Sequence, residues 1–434
     1  MRLVLLSRTK SFYFFKTQIM IFIAVFLLTV FLYSLVSRRL ERTVVTAPII
    51  FTLAGMLLYS LPSVSISDLV LERHGFLWVA EIGLVMTLFT DAAHISFKHL
   101  ITNRSLPFRL LTTGMLLTIL LGAIAAVMVF PGINVWQAGI LAAILAPTDA
   151  GLGAVIVNSP KVPLRIREAL NIEAGLNDGL SVPFLMCFIA LVLESSEAAS
   201  ALLSRFMLEQ IGYGSLIGFS IGAVGGWLLE LACRKKWMAA PLQQLGLVAL
   251  PLMCVLASEA SGASMFIAAY IGGFAVQICF TDAGKHSVEF TETWGQLFDF
   301  FVFFLFGVLV AQASTQFDFT HLIYALLSLT LVRMLPVAMA LAGSGLSRST
   351  VLFMGWFGPR GLASIVLGLV YLEQELNIPG EATVKLAIMM TVLLSIFAHG
   401  FSALPGINIY LKRIAGLHPS AAEFKGIDAD DSAG

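Results

Sequence analysis

Residues 146–151 read Ala-Pro-Thr-Asp-Ala-Gly, and residues 357–361 read Phe-Gly-Pro-Arg-Gly. Each stretch interrupts an apolar segment of membrane-spanning length. Proline removes a backbone donor and clashes with the preceding turn, and glycine loosens a helix further. Each break frees amides and carbonyls that hydrocarbon cannot satisfy, so they must face protein or a wet cavity. The breaks also carry opposite charges, Asp149 and Arg360. Ordinary proline kinks in packed helices are the plainer alternative, and the paired charges weigh against it.

Around the breaks the chain is mostly apolar. Of its 434 residues 58% are hydrophobic and 12% charged, with a mean hydropathy of +0.92. That composition implies an all-α polytopic membrane protein. Thirteen apolar segments read as spans: 17–37, 44–60, 75–92, 107–130, 134–157, 168–193, 207–232, 242–257, 263–280, 293–312, 319–343, 348–371 and 381–403. The N-terminus is basic, then apolar, without a small-residue cleavage site, and reads as a first span rather than a signal peptide. Residues 418–434 read as a short disordered cytoplasmic tail. A net charge of zero gives no reason to expect nucleic acid. Cys187, Cys233, Cys254 and Cys279 show no metal or redox spacing and read as buried thiols. No cofactor is expected.

The broken spans are the fifth and the twelfth, and their odd offset places them in opposite orientations. This is the arrangement of an inverted-repeat transporter: residues 17–193 pair with 242–403, and 207–232 link them. Interrupted helices in matching positions point to a midplane binding site. If the breaks cross, two positive half-helix ends favour Asp149 and two negative ends favour Arg360.

Lysine and arginine sort by side. The loops after spans 1, 3, 5, 7, 9 and 11, with the tail, hold seventeen, and the opposite side holds six. The positive-inside rule then puts the C-terminus in the cytoplasm of a multi-pass inner or plasma membrane protein. Arg2, Arg8, Lys10 and Lys16 oppose the outside N-terminus that an odd count requires: either a short basic tail crosses, or one span is miscounted. Arg333, Arg360 and Lys385 fall inside spans. Lys385 is near a span end and can snorkel. The two arginines need partners, and the sequence does not name one for Arg333.

Residues 171–183, Asn-Ile-Glu-Ala-Gly-Leu-Asn-Asp-Gly-Leu-Ser-Val-Pro, form the middle of span 6. Glu173 and Asn177 are four apart and share a face, with Asp178 one residue further round near Ser181. Gly175 and Gly179 give a flank that admits another helix. Carboxylates at this depth mark bundle interiors, ion paths or proton relays. A desolvated carboxyl holds a proton when neutral or a cation when ionised. Competition for Asp178, with alternating access, is sufficient for obligatory exchange. A hard monovalent cation takes oxygen ligands, and Thr148, Glu173, Ser181 and carbonyls freed at the break are candidates beside Asp178. Glu173 as a salt-bridge partner only, and Asn177 as a hydrogen-bond partner of the break only, are the blander readings.

Glu173–Asn177–Asp178, after Thr148-Asp149 on the preceding broken span and with Gly-Pro-Arg-Gly at 358–361, resembles the monovalent cation:proton antiporter-1 family, the sodium/proton exchangers of the NhaP type. The resemblance implies the sodium/proton antiporter fold: a homodimer whose protomers each move a core domain against a dimerisation domain. It implies that Asp178 is shared by Na⁺ and H⁺, that Thr148 gives oxygen to the ion, and that Asn177 holds the crossing helices. It also implies that Arg360 pairs with Glu173 and with Glu81 of span 3. Members with Asn-Asp at this point exchange one cation for one proton. Two departures stand out. Proline precedes Thr148-Asp149 where the family has it following, and Ala174 replaces a serine that often ligates the ion, which leaves the choice among Na⁺, K⁺ and Li⁺ open.

Two other classes compete. A cation-coupled symporter of a small organic anion would use Arg360 and Arg333 as anion ligands. A sensor or channel would use His94 and His99 to report pH. Glu373, Glu375 and Glu381 read as an acidic outer loop. Asp91 and Asp299 lie near span ends and carry no assigned role.

Overall fold

The computed structural model describes residues 2–40, 43–61, 73–94, 105–193, 208–280, 285–374, 378–418 and 420–424. His99 and Glu375 lie outside them. Among the described residues the regular structure is helical, and thirteen spans follow the apolar segments closely. They are span 1 (Gln18–Leu40), span 2 (Ala47–Tyr59), span 3 (Arg73–His94), span 4 (Ser105–Val129), span 6 (Leu164–Leu193) and span 7 (Gly214–Arg234). Span 8 (Ala240–Ser261), span 9 (Met265–Cys279), span 10 (Lys285–Ala313), span 11 (Phe319–Ala340) and span 13 (Glu381–Ile414) follow. Span 5 is two half-helices, 5a (Val135–Leu145) and 5b (Ala150–Val157), and span 12 is likewise 12a (Arg348–Trp356) and 12b (Leu362–Glu373). Span 11 has a smaller interruption at Thr330, where the backbone turns to φ −108°, ψ −91°.

Local chemistry sets several of these ends. Asn134 and Gln137 form a reciprocal capping box at the start of 5a. Gln137 also donates from Nε2 to the carbonyl of Pro379 at 2.5 Å, tying that end to the turn before span 13. The turn passes through Gly380 at φ +93°, a left-handed conformation that favours glycine.

Packing sorts the spans into two bodies. Spans 2 and 10, 3 and 9, 3 and 10, and 7 and 9 pack together, joined by spans 1 and 8. Spans 4, 5, 6, 11, 12 and 13 make the second body, with 5a against 4 and 6, and 13 against 11, 12 and both halves of span 5. Each body takes three spans from either end of the chain; span 7 joins the first. Small residues permit the closest approaches, as they do where dispersion and shape drive helix association in lipid. Gly214, Gly218, Gly222 and Gly226 form one face of span 7 laid on span 9. A Cβ on Gly222 would stand 2.9 Å from Cβ of Ala275, and one on Gly226 3.2 Å from Cα of Val276. The outward faces carry large apolar side chains such as Leu28, Phe31, Phe219 and Trp227, as a hydrocarbon solvent requires.

The chain after span 13 departs from expectation. Residues 420–424 are ordered, ending in a turn at Ala422–Phe424. Phe424 packs beside Val337, Phe353 and Tyr410. Glu423 is 1% exposed. Its Oε1 accepts from the Ser347 N–H at 2.7 Å and the Thr350 hydroxyl at 2.8 Å, at the start of 12a. Arg165, at the start of span 6, donates to the Ala422 carbonyl. The tail thus hooks onto the entries of both helices that converge on the breaks. Burial by itself pushes the Glu423 carboxyl up, but the donors of Ser347 and Thr350 and its own backbone N–H pull it net below its ordinary 4.5. A depressed carboxyl stabilises the fold above its unfolded value and loses that contribution as pH falls through the folded one. Glu423→Ala is expected to cost about 1 kcal/mol at pH 7, the usual worth of a helix-entry cap. Thermal unfolding should show the difference from the parent protein shrinking as pH drops below 4.5.

Candidate functional site

The two breaks meet. The Asp149 N–H donates to the Pro359 carbonyl at 2.8 Å, joining one interrupted backbone to the other. Asp149 Oδ1 accepts from the Leu152 N–H at 2.8 Å, capping 5b, and Oδ2 accepts from the Leu362 N–H at 2.5 Å, at the start of 12b. One carboxylate therefore serves the positive ends of two half-helices. Gly361 is required by this arrangement, since a Cβ there would fall 2.7 Å from Cγ of Asp149.

Arg360 does the converse. It is 0% exposed, and its Nη1 donates to the carbonyls of Pro147 at 3.2 Å and Gly358 at 3.1 Å, just past the ends of 5a and 12a. Ser364 of 12b donates to the Ile144 carbonyl at 2.8 Å, satisfying another freed acceptor of 5a. Span 13 supports the crossing from behind. The Arg360 N–H donates to Ser395 Oγ at 2.6 Å, Ser395 Oγ lies 3.1 Å from His399 Nδ1, and His399 Nε2 lies 2.9 Å from the Trp356 carbonyl. His399 Nδ1 also lies 3.0 Å from the Ser395 carbonyl.

Span 6 closes the other side. Asn177 Nδ2 donates to Thr148 Oγ1 at 2.8 Å, and Asn177 Oδ1 accepts from the Thr148 N–H at 3.2 Å. The amide thus holds the span 5 break through both its ends. Ser181 donates to the backbone carbonyl of Asp178 at 2.8 Å and is fully enclosed.

Two expectations fail at Glu173. Arg333, not Arg360, is its partner, with Nη1 to Oε1 at 2.6 Å and Nη2 to Oε2 at 2.8 Å. Both side chains are buried, and both carboxylate oxygens are engaged by a planar guanidinium. Glu173 is therefore an ion-pair partner rather than an oxygen for a cation. The small interruption at Thr330 places Arg333, and Gly358 makes room for it: a Cβ there would meet Cζ of Arg333 at 2.7 Å. Glu81 is a third correction. The charges that act on it are Glu373 and Glu259, not Arg360. Its place in span 3 puts it toward the end of the membrane where span 8 and 12b finish, away from the crossing.

Asp178 is left over. It is 8% exposed, and its Oδ1 is buried without a hydrogen-bond partner. The charges acting on it are three acids: Asp149, Asp91 of span 3 and Asp299 of span 10. Gly175, on the same helix, faces Asp91 across the gap between the bodies, where a Cβ would stand 3.5 Å from Cβ of Asp91. Gly179 faces the ring of Tyr270 on span 9, also at 3.5 Å. Sequence reasoning passed over Asp91 and Asp299. The available signal was Asp299 set inside Phe298-Asp299-Phe300-Phe301, an acid with no polar company.

A family model described as "Sodium/hydrogen exchanger, transmembrane" matches residues 21–406. The chain is 24% identical over 333 residues to the K(+)/H(+) antiporter NhaP of Alkalimonas amylolytica, covering 75% of this chain and 56% of that protein. It is 24% identical over 343 residues to a Na(+)/H(+) antiporter of Schizosaccharomyces pombe, covering 70% of this chain and 72% of that one. The chain therefore spans little more than half of the first relative. The sodium proton antiporter MjNhaP1 of Methanocaldococcus jannaschii, at pH 8, superposes with a TM-score of 0.75 at 20% identity, over 92% of this chain and 100% of the other. That likeness carries the fold, over nearly the whole of both chains. With a family match running from the first span to the last, this chain belongs to the transmembrane sodium/hydrogen exchanger family.

Proposed function

We propose that this protein is a secondary transporter that exchanges Na⁺ or K⁺ for H⁺, one for one, by competition of the two ions for Asp178. The observation that supports it most is a charge imbalance. Glu173 is matched by Arg333, and Asp149 and Arg360 are matched by half-helix ends of opposite sign. Asp178 has no such partner. A buried carboxylate without compensation is costly, so the group needs either a proton or a cation. Thr148 is tied to Asn177, the residue before that acid, and is the further oxygen this reading assigns to the ion. The glycines of span 6 that face spans 3 and 9 make a low-relief surface on which the six-span body can rock, with 17–193 and 242–403 as the repeats and span 7 as the link. The same reading takes the protein as a homodimer in the cell membrane with its C-terminus in the cytoplasm. The anion-symport reading loses ground, because both terminal nitrogens of Arg333 are occupied by Glu173.

In proteoliposomes a pH gradient alone should drive Na⁺ or K⁺ uptake, and Asp178→Asn should abolish it. Surviving exchange in that variant would move the site elsewhere. One-for-one exchange moves no net charge, so the field, worth about 2.3 kcal/mol per charge per 100 mV, should leave the rate unchanged. A rate that follows an imposed potential would sink the stoichiometry.

The Arg333–Glu173 pair braces the moving body, and removing either partner strands a buried charge at a cost of about 3–5 kcal/mol. Glu173→Gln and Arg333→Met should each lower the unfolding temperature more than the double variant does. Additive losses would count against a mutual pair.

A further inference from the structure

Asp299 sits on the body opposite Asp178. It lies six residues inside the apolar stretch Thr293–Gln316 of span 10 and is only partly buried. An ionisable group there, bordered by Phe298 and Phe300, faces a wet crevice or a partner rather than lipid. Its carboxylate oxygen Oδ1 accepts from the Thr87 hydroxyl of span 3 at 3.1 Å. The crossing of spans 3 and 10 is tight at this point. A Cβ on Gly295 would stand 3.4 Å from Thr87 Oγ1, and one on Gly83 2.7 Å from Cβ of Phe298. The side chain is thus anchored on a close-packed pair of helices.

Every charge recorded as acting on Asp299 is acidic: Asp149 on the crossing and Asp91 one helical turn beyond Thr87. Asp299 acts in turn on Asp178. Tyr270 of span 9, on which Asp91 also acts, is a further titratable group at this interface among the described residues. The second observation is the unpartnered Oδ1 of Asp178, on a side chain more than nine-tenths buried. Asp299 thus acts on Asp178 across the interface of the two bodies, with the Thr87 hydroxyl on Asp299 and no hydrogen-bond partner on Asp178 Oδ1 among the described residues. Ala174 adds no oxygen beside Asp178, so a cation there has one fewer side-chain ligand on span 6.

We propose that Asp299, held by Thr87, is a second carboxylate for the transported monovalent cation, presented by the stationary body and met by the ion only when Asp178 faces it. This inference rests on the exchange reading above. The ion then finds two carboxylates in one orientation of the rocking body and one in the other. A carboxylate that stays behind makes cation affinity differ between the two membrane faces without travelling itself. Under the orientation set by the basic loops, Thr87 and Asp299 lie in the cytoplasmic half.

The test uses the full chain in proteoliposomes of known orientation, with Na⁺ and K⁺ as probes. Asp299→Asn should raise the half-saturating cation concentration about tenfold at the cytoplasmic face, as loss of one nearby charge in a partly wet gap implies. At the other face it should stay within about twofold of the parent protein, where only Asp178 meets the ion. Asp299→Glu, which keeps the charge, should restore most of the cytoplasmic affinity. An unchanged value on both faces, an equal rise on both, or a glutamate variant as weak as the asparagine one would each overturn the proposal. The cation-induced rise in unfolding temperature, measured on the same purified variants, should fall for Asp299→Asn and recover for Asp299→Glu; no fall overturns it even where transport is too slow to measure. Asp178→Asn run in parallel separates the two ideas, because exchange persisting there defeats the exchange reading itself.

Discussion

A helix interrupted in hydrocarbon leaves backbone groups that must be satisfied, and this protein satisfies those of each broken span with the other. The Asp149 N–H meets the Pro359 carbonyl, the Asp149 carboxylate meets the N-termini of 5b and 12b, and Arg360 meets carbonyls past 5a and 12a. Neither charge neutralises the other by direct contact. Each is held by backbone dipoles of the opposite sign, which do not move when an ion arrives. The crossing is therefore a fixed electrostatic frame, and the glycines on its inner side record how tightly it closes. A methyl group at Gly361 would press on Asp149, and one at Gly358 on Arg333.

That frame decides what the remaining acid can do. With Glu173 matched by Arg333 and the break charges matched by dipoles, the six-span body carries no spare positive charge beside Asp178. Had Arg333 or Arg360 been free to reach it, Asp178 would be a permanent ion-pair partner and no ion would be needed. The bidentate geometry at Glu173 and the enclosure of Arg360 keep both guanidinium groups away. The structural ion pair thus keeps the Arg333 guanidinium from neutralising Asp178. Asn177 adds precision by fixing Thr148 with both ends of its amide, so that hydroxyl has a set position at the span 5 break.

The spans and the breaks were legible because bilayer thickness and proline chemistry act locally. Roughly 20 apolar residues are needed to cross, and Pro147, Gly151, Gly358 and Pro359 interrupt that pattern in the sequence itself. The tie between Asn177 and Thr148 was legible as one of two readings, since the two segments are consecutive. The partner of Glu173 was not. Arg333 lies 160 positions away, and the interruption at Thr330 stands six residues before Pro336, which gives no sign of the pairing. Glu81 misled for a related reason: its residue type fitted a role that its depth in span 3 rules out. Glu423 looked like one acid in a polar tail, and only the start of 12a gives it a cap to make.

Acids lie on both sides of the crossing. Glu259 of span 8 and Glu373 of 12b act on Glu81 of span 3 toward one end, while Asp91 and Asp299 lie toward the other. Such an arrangement raises the local concentration of cations on either approach. It also bears on the empty carrier. On the proposed exchange reading, an Asp178 that has lost its proton and holds no cation faces like charge from Asp91 and Asp299, so the empty ionised form is disfavoured there. Coupling then needs no separate latch. On the same reading, crossing without cargo is opposed by repulsion that a proton or a cation removes.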